Sequence, residues 1–303
     1  MAGKAGEQGV YGDPPLELAA PAAGARQFSP LKPGCADLED LETGALTSLV
    51  MLAPPGALER RYEIAMALKA VRPGGALTIL APKDKGGSRL KKELEGFGCE
   101  VTEEAKRHHR ICHIVRPDRR LPLEEAVAAG EPRRIASLGL WTQPGVFSWD
   151  RIDPGSALLA EHLPALKGAG ADFGCGVGFL AREVLASAEV TALSLIDIDR
   201  RALEMARRNV ADARAEFLWG DVREDAPEKL DFVVMNPPFH DAGREDKSLG
   251  QGFIGAASRA LKKGGVLWLV ANRHLPYEKV LETFLRWRQV ADQGGFKVIE
   301  AVR

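Results

Sequence analysis

Ala171-Asp172-Phe173-Gly174-Cys175-Gly176-Val177-Gly178-Phe179 opens the apolar-periodic stretch Leu180 to Ala188. Three glycines at alternate positions between a strand and a helix let the backbone approach a ligand closely. A loop of that kind belongs at the carboxyl edge of an open α/β sheet, where such folds build their sites. The spacing is G-x-G-x-G, which differs from the dinucleotide fingerprint G-x-G-x-x-G and its pyrophosphate cradle.

Carboxylates downstream of the loop narrow the choice of ligand. The strand Val190-Thr191-Ala192-Leu193-Ser194-Leu195-Ile196 ends at Asp197, where a carboxylate can take both ribose hydroxyls of an adenosine, with Asp199 as a lesser candidate close by. A helix from Arg201 to Val210 and a strand from Ala215 to Trp219 lead to Asp221, placed either to accept from an adenine amino group or to begin a turn. Loop and carboxylates in this order suit S-adenosylmethionine, which has no pyrophosphate, better than a nicotinamide dinucleotide.

The apolar run Leu230-Asp231-Phe232-Val233-Val234-Met235 then stops at Asn236-Pro237-Pro238-Phe239. On its own this is a turn after a strand. Beside the glycine loop it has a chemical use. The lone pair of an exocyclic amine is delocalised, and it attacks a methyl donor only once turned out of plane. An amide oxygen and a neighbouring backbone carbonyl that accept the two N–H groups favour that geometry. The prolines remove backbone freedom and donors, and Phe239 offers an aromatic face for a flat substrate. The sequence is therefore expected to encode a class I methyltransferase.

A chain of 303 residues, 45% hydrophobic and 27% charged, is long enough for two globular domains. No run approaches a membrane span, and no basic segment followed by an apolar core opens the sequence, so a cytoplasmic protein is expected. Cys35, Cys99, Cys112 and Cys175 show no C-x-x-C spacing and suit free thiols. The net charge of −1 requires any nucleic-acid contact to rest on a local basic patch. Residues 81 to 120 hold eleven Lys or Arg against seven Asp or Glu, a modest surplus that serves either phosphates or a solvated face.

Residues 1–28, rich in Ala, Gly and Pro, read as a flexible arm. Residues 29–116 alternate strand and helix: strand Leu46 to Leu52, helix Ala57 to Val71, strand Ala76 to Leu80, helix Ser88 to Phe97, and strands Cys99 to Thr102 and Ile111 to Val115. Residues 117–134, with Pro117, Pro122 and Pro132, read as a linker, and 135–303 as the catalytic domain. Leu49-Val50-Met51-Leu52-Ala53-Pro54-Pro55-Gly56 lines up with Phe232 to Phe239, and Leu68-Lys69-Ala70-Val71-Arg72-Pro73-Gly74-Gly75 with Leu261-Lys262-Lys263-Gly264-Gly265 further on. The halves read as copies, the first carrying Ala53 where the amide belongs, unless the match is common α/β punctuation.

His108-His109-Arg110-Ile111-Cys112-His113 holds metal-ligand types, but Cys112 and His113 point to opposite faces of a strand and no second cluster completes four ligands, so no metal is expected. Trp141 to Ser156 is dense in aromatics and glycines and either folds over the methionine end of the donor or seals the sheet as a hairpin. His240 either orients substrate or caps the turn, and Asp241 to Gly250 is the candidate substrate-contacting loop.

Pro144-Gly145-Val146-Phe147-Ser148, Asp153-x-Gly155-Ser156, the glycine loop, Asn236-Pro237-Pro238-Phe239-His240, Val270-Ala271-Asn272 with Leu275-Pro276-Tyr277, and Phe296-Lys297-Val298 together resemble the ribosomal RNA small subunit methyltransferase C family. The resemblance implies two Rossmann-like methyltransferase domains in tandem, the first degenerate and used for substrate recognition, the second a seven-stranded class I sheet. It implies transfer of a methyl group from S-adenosylmethionine to the exocyclic N2 of a guanine in 16S rRNA, with rRNA or the small ribosomal subunit as partner. Carried onto this sequence, Asp172, Gly174, Gly176 and Gly178 line the donor loop, Asp197 holds the ribose and Asp221 meets the adenine. Phe147, Cys175, Ile198, Val222 and Asn236 complete the donor set, and Asn236, Pro237 and Phe239 carry catalysis. The alternatives are methylation of another nitrogen (23S rRNA guanine N2, adenine N6 or a protein glutamine) and a non-catalytic RNA-binding or assembly factor.

Overall fold

The computed structural model describes residues 6–238, 240–241, 244–245 and 247–303, and the chain divides into two units at Glu131/Pro132. The first unit holds β1 (Glu7–Tyr11), β2 (Arg26–Phe28), β3 (Leu46–Leu52), α1 (Ala57–Ala70), β4 (Val71–Pro82), α2 (Ser88–Gly96), β5 (Thr102–Lys106), β6 (His109–Val115) and α3 (Glu124–Gly130). Its six-stranded sheet has the order β2-β1-β3-β4-β6-β5, with the β6 pairings antiparallel and the rest parallel.

The second unit opens with the hairpin β7 (Arg133–Ile135) and β8 (Leu140–Thr142). It continues through α4 (Pro154–His162), β9 (Gly168–Phe173), α5 (Phe179–Leu185), β10 (Val190–Asp197), α6 (Arg200–Asn209), β11 (Ala215–Trp219), α7 (Val222–Asp225) and β12 (Leu230–Met235). Then come the short ladder β13 (His240–Asp241) and β14 (Arg244–Glu245), α8 (Lys247–Ala260), β15 (Leu261–Asn272), α9 (Glu278–Leu281), β16 (Arg286–Gln293) and β17 (Phe296–Val302). The main sheet has seven strands in the order β11-β10-β9-β12-β15-β17-β16, with only the β17 pairings antiparallel. The central strands carry continuous apolar runs, such as Phe232 to Met235, because helices cover both faces.

The two sheets repeat one another. The order β2-β1-β3-β4-β6-β5 matches β10-β9-β12-β15-β17-β16 pairing for pairing, so the internal copy read from Leu49 to Gly56 extends through the sheet, and only β11 lacks a counterpart. For residues 6–28 this overturns the reading of residues 1–28 as an arm. β1 lies between β2 and β3, with Val10 and Tyr11 buried, and Gly9 leaves room for Phe28, Leu46 and Leu49. Two large apolar residues, adjacent in a five-residue strand, are too few to show a period.

The linker over 117–134 is also corrected. α3 packs on α1 so closely that a Cβ on Gly130 would lie 2.3 Å from that of Tyr62, and Leu121 and Ala126 join the first core. The strand expected at Cys99–Thr102 starts at Thr102, because Gly98 adopts a left-handed conformation (φ 83°) that closes α2 and buries Cys99. Among the described residues, no helix is long and apolar enough to cross a membrane, and no group of His, Cys, Asp or Glu could hold a metal ion.

Candidate active site

The glycine loop leaves the carboxyl end of β9, and Gly174, Gly176 and Gly178 all have positive φ (70°, 53° and 83°), which side chains oppose. Gly178 also permits close packing, since a Cβ there would meet Val210 at 2.9 Å and Ala206 at 3.3 Å. At the end of the neighbouring strand, Asp197 accepts hydrogen bonds from the backbone N–H of Gly176 (2.8 Å) and of Asp199 (2.8 Å). Spacing alone gave no sign of this tie between carboxylate and loop.

Asp172, the penultimate residue of β9, is buried, and neither carboxylate oxygen has a partner at good hydrogen-bond geometry among the described residues, the N–H of Ala181 giving only a small offset. Burial, reinforced by the charge of Asp197, pushes its carboxyl up to about 8. Burial likewise raises Asp197 to about 6, and holds the Cys175 thiol well above its ordinary value. An unpartnered buried carboxyl is costly unless a cation completes it.

Asp199 and Asp221 are engaged otherwise. Asp199 caps α6, accepting from the N–H of Arg201, and holds the same residue's guanidinium at 3.0 and 2.9 Å. Asp221 caps α7 through the N–H of Arg223 (2.9 Å) and pairs with its guanidinium, so it begins a turn. The Arg223 hydrogen bond, ahead of a smaller opposing cost of burial, lowers the Asp221 carboxyl. Beside it, Ile198 is exposed and Val222 buried, and the carbonyl of Ile198 accepts from the indole N–H of Trp219 at 2.9 Å.

Across the sheet edge, Asn236 directly follows β12, with Pro237 buried behind it. Its Nδ2 donates to Asp153 Oδ2 (2.8 Å) and Ser156 Oγ (2.9 Å), both at the start of α4. Asp153 and Ser156 were legible only as part of the family likeness, with no role attached. One cleft is lined jointly by Gly174, Cys175, Gly176, Asn236, Asp153 and Phe147, the last strongly exposed. The segment from Trp141 to Ser156 thus contributes both a strand of the β7–β8 hairpin and a wall of this cleft. Phe239 lies outside the described residues. So do Ala242, Gly243 and Asp246 of the expected substrate loop.

The arrangement fits the donor it was expected to hold. The glycines of the loop offer backbone without side chains, Asp172 offers a buried carboxyl for a cationic group, and the end of β10 offers Asp197 and Ile198 beside Val222 at the start of α7.

Comparison with known proteins agrees. Residues 137–300 match the family model described as Methyltransferase small domain. A ribosomal RNA small subunit methyltransferase C from Pseudomonas aeruginosa (strain LESB58) is 33% identical, over 86% of this chain and 80% of the relative. One of the same name from Acinetobacter baylyi is 33% identical, over 76% of this chain and 71% of the relative. Among solved structures, a T. thermophilus 16S rRNA N2 methyltransferase in complex with AdoMet and guanosine superposes with a TM-score of 0.79 at 25% identity, covering 98% of this chain and 88% of that one. Glycine loop, strand order and relatives converge: the chain belongs to the ribosomal RNA small subunit methyltransferase C family.

Proposed function

We propose that the protein transfers the methyl group of S-adenosylmethionine to the exocyclic N2 of a guanine in 16S rRNA. The observation that carries this is the single cleft shared by the glycine loop and Asn236, which brings the donor side and the acceptor side of a methyl transfer together. When bound, the donor supplies a sulfonium-activated methyl group, so the chain needs no strong base.

The protein's part is positioning and removal of water. The open backbone of Gly174 to Gly178, free of side chains at the glycines, receives the donor, Asp172 takes its cationic amine, and Asp197 takes the ribose hydroxyls. Asn236 accepts an N–H of the guanine amine through its side-chain oxygen and turns the lone pair toward the methyl. Extruding a paired guanine costs a few kcal/mol, which stacking offsets by roughly 1–3 kcal/mol. The first unit has Ala53 in place of the amide and no counterpart of the glycine loop; its part is to recognise the RNA.

Incubation with labelled donor and 30S subunits, 50S subunits or free rRNA, followed by mapping of the methylated base, tests this. Label at a guanine N2 of 16S rRNA is expected. Label only in 23S rRNA, at an adenine, or nowhere overturns it.

A further inference from the structure

We propose that Asp153 and Ser156 are positioning residues that fix which end of the Asn236 amide meets the substrate; the inference rests on the methyl-transfer reading above. The two ends of an amide differ chemically, the nitrogen donating twice and the oxygen only accepting. The partners of Asn236 decide its orientation. Asp153 is a carboxylate that only accepts, and its Oδ2 lies 2.8 Å from Nδ2, with Ser156 Oγ at 2.9 Å. Both N–H bonds are spent in this way, and the side-chain oxygen is what remains for an acceptor amine.

The clamp is itself held. Asp153 caps α4, accepting at the same Oδ2 from the backbone N–H of Ser156 at 2.8 Å, and Pro154 at the first helical position fixes the turn. Gly155 between them leaves little room for a side chain, since a Cβ would lie 3.0 Å from Asp153 Oδ2 and 3.0 Å from the ring of Phe296. Ser156 is buried. A flipped amide would set an oxygen against the Asp153 carboxylate and lose that hydrogen bond, whereas the Ser156 hydroxyl can accept or donate, so Asp153 removes the wrong orientation and Ser156 holds the amide in place. It also gives a reason for an amide at 236 in this chain, because a carboxylate there would face that of Asp153 at the same short distance.

If Asp153 acts through Asn236, its loss costs nothing further once Asn236 is gone. A double-mutant cycle on the full-length enzyme reads this directly. In the wild-type background, Asp153→Ala is expected to lower kcat about tenfold to a hundredfold, with the dissociation constant for S-adenosylmethionine within about twofold. In the Asn236→Ala background it is expected to change kcat by less than about twofold. Ser156→Ala leaves the Asp153 cap in place, so it serves should Asp153→Ala fold poorly, and the same non-additivity is expected of it at an unchanged melting temperature. Equal losses in both backgrounds, an unchanged kcat in the wild-type background, or a tenfold weaker donor at constant kcat would each overturn the clamp. A wild-type enzyme with no turnover on any rRNA defeats the methyl-transfer reading itself, and the clamp falls with it.

Discussion

Asp197 accepts from the backbone N–H of Gly176 at 2.8 Å, so one carboxylate at the end of β10 holds open the glycine loop that leaves β9. Its other oxygen accepts from the N–H of Asp199, also at 2.8 Å. The residue therefore shapes the loop and, in our reading, takes the ribose. Asp197→Ala should weaken S-adenosylmethionine at least about tenfold, since each charge-assisted hydrogen bond contributes roughly 1.5–3 kcal/mol. Asp199→Ala removes the α6 cap, about 0.5–2 kcal/mol, and a partner of the buried Arg201 guanidinium, up to about 3–5 kcal/mol more, and should leave the ribose contact intact. Titration calorimetry of both variants decides, and the opposite pattern would move the ribose to Asp199.

Asn236→Ala removes the acceptor proposed to turn the guanine amine, and loss of one preorganised group of this kind costs on the order of 10²–10³ in rate. Donor affinity should barely change. Single-turnover methylation alongside donor binding measures the two separately. Near-normal turnover would show that the amine is oriented by something else.

The parts of this design that were legible in the sequence are those whose chemistry is local. Gly174, Gly176 and Gly178 announce a loop because each needs positive φ within a few residues. The run ending at Asn236 announces a buried strand by its apolarity. What stayed hidden depends on distant partners. β1 is held by its neighbours in the sheet, and α3 by its fit against Tyr62. The pairing of Asp221 with Arg223 was not foreseen, because two residues of opposite charge so near in sequence need not meet. The clamp on Asn236 joins positions 80 and 83 residues apart, a separation that no local pattern reveals.

Burial raises Asp172 to about 8 and Asp197 to about 6 in the ligand-free protein. In the unfolded chain both ionise near the ordinary aspartate value of about 3.9. Between these limits the folded state holds protons that the unfolded state has lost, so stability falls as pH rises from about 4 toward 8. The melting temperature of the ligand-free protein should be lower at pH 8.5 than at pH 6, and Asp172→Asn should flatten most of that slope. Scanning calorimetry across this range checks it. A slope that Asp172→Asn leaves untouched would assign the pH dependence to other groups.

In the first unit, the strand end equivalent to Asn236 is filled from within. Buried Arg60 donates to the carbonyls of Pro54 (3.3 Å) and Pro55 (2.8 Å) and pairs with Glu93 through two bonds of 2.8 and 2.7 Å. Removing one partner strands a buried charge, so Glu93→Ala should destabilise this unit by about 3–5 kcal/mol. Replacing both with apolar residues should cost less. Denaturant melts of the two variants compare them directly, and equal losses would mean that packing, rather than the unpaired charge, sets the cost.

The basic surplus of residues 81 to 120 gives the first unit a testable part in RNA recognition. Arg89 and Lys92 are exposed on α2, while Lys91 lies 3.8 Å from Glu95 one turn away. Each phosphate neutralised by a protein cation releases counterions, so log affinity falls with log salt in proportion to the number of contacts. If Arg89 and Lys92 meet phosphates, Arg89→Glu and Lys92→Glu should weaken rRNA binding and reduce the slope by about one contact each. S-adenosylmethionine binding should stay unchanged, because the glycine loop and Asp197 belong to the second unit. Filter binding of rRNA over a salt series, paired with donor calorimetry on the same preparations, reads both effects. A slope that neither reversal alters would remove α2 from the RNA surface, and a matching loss of donor affinity would point to a general loss of fold.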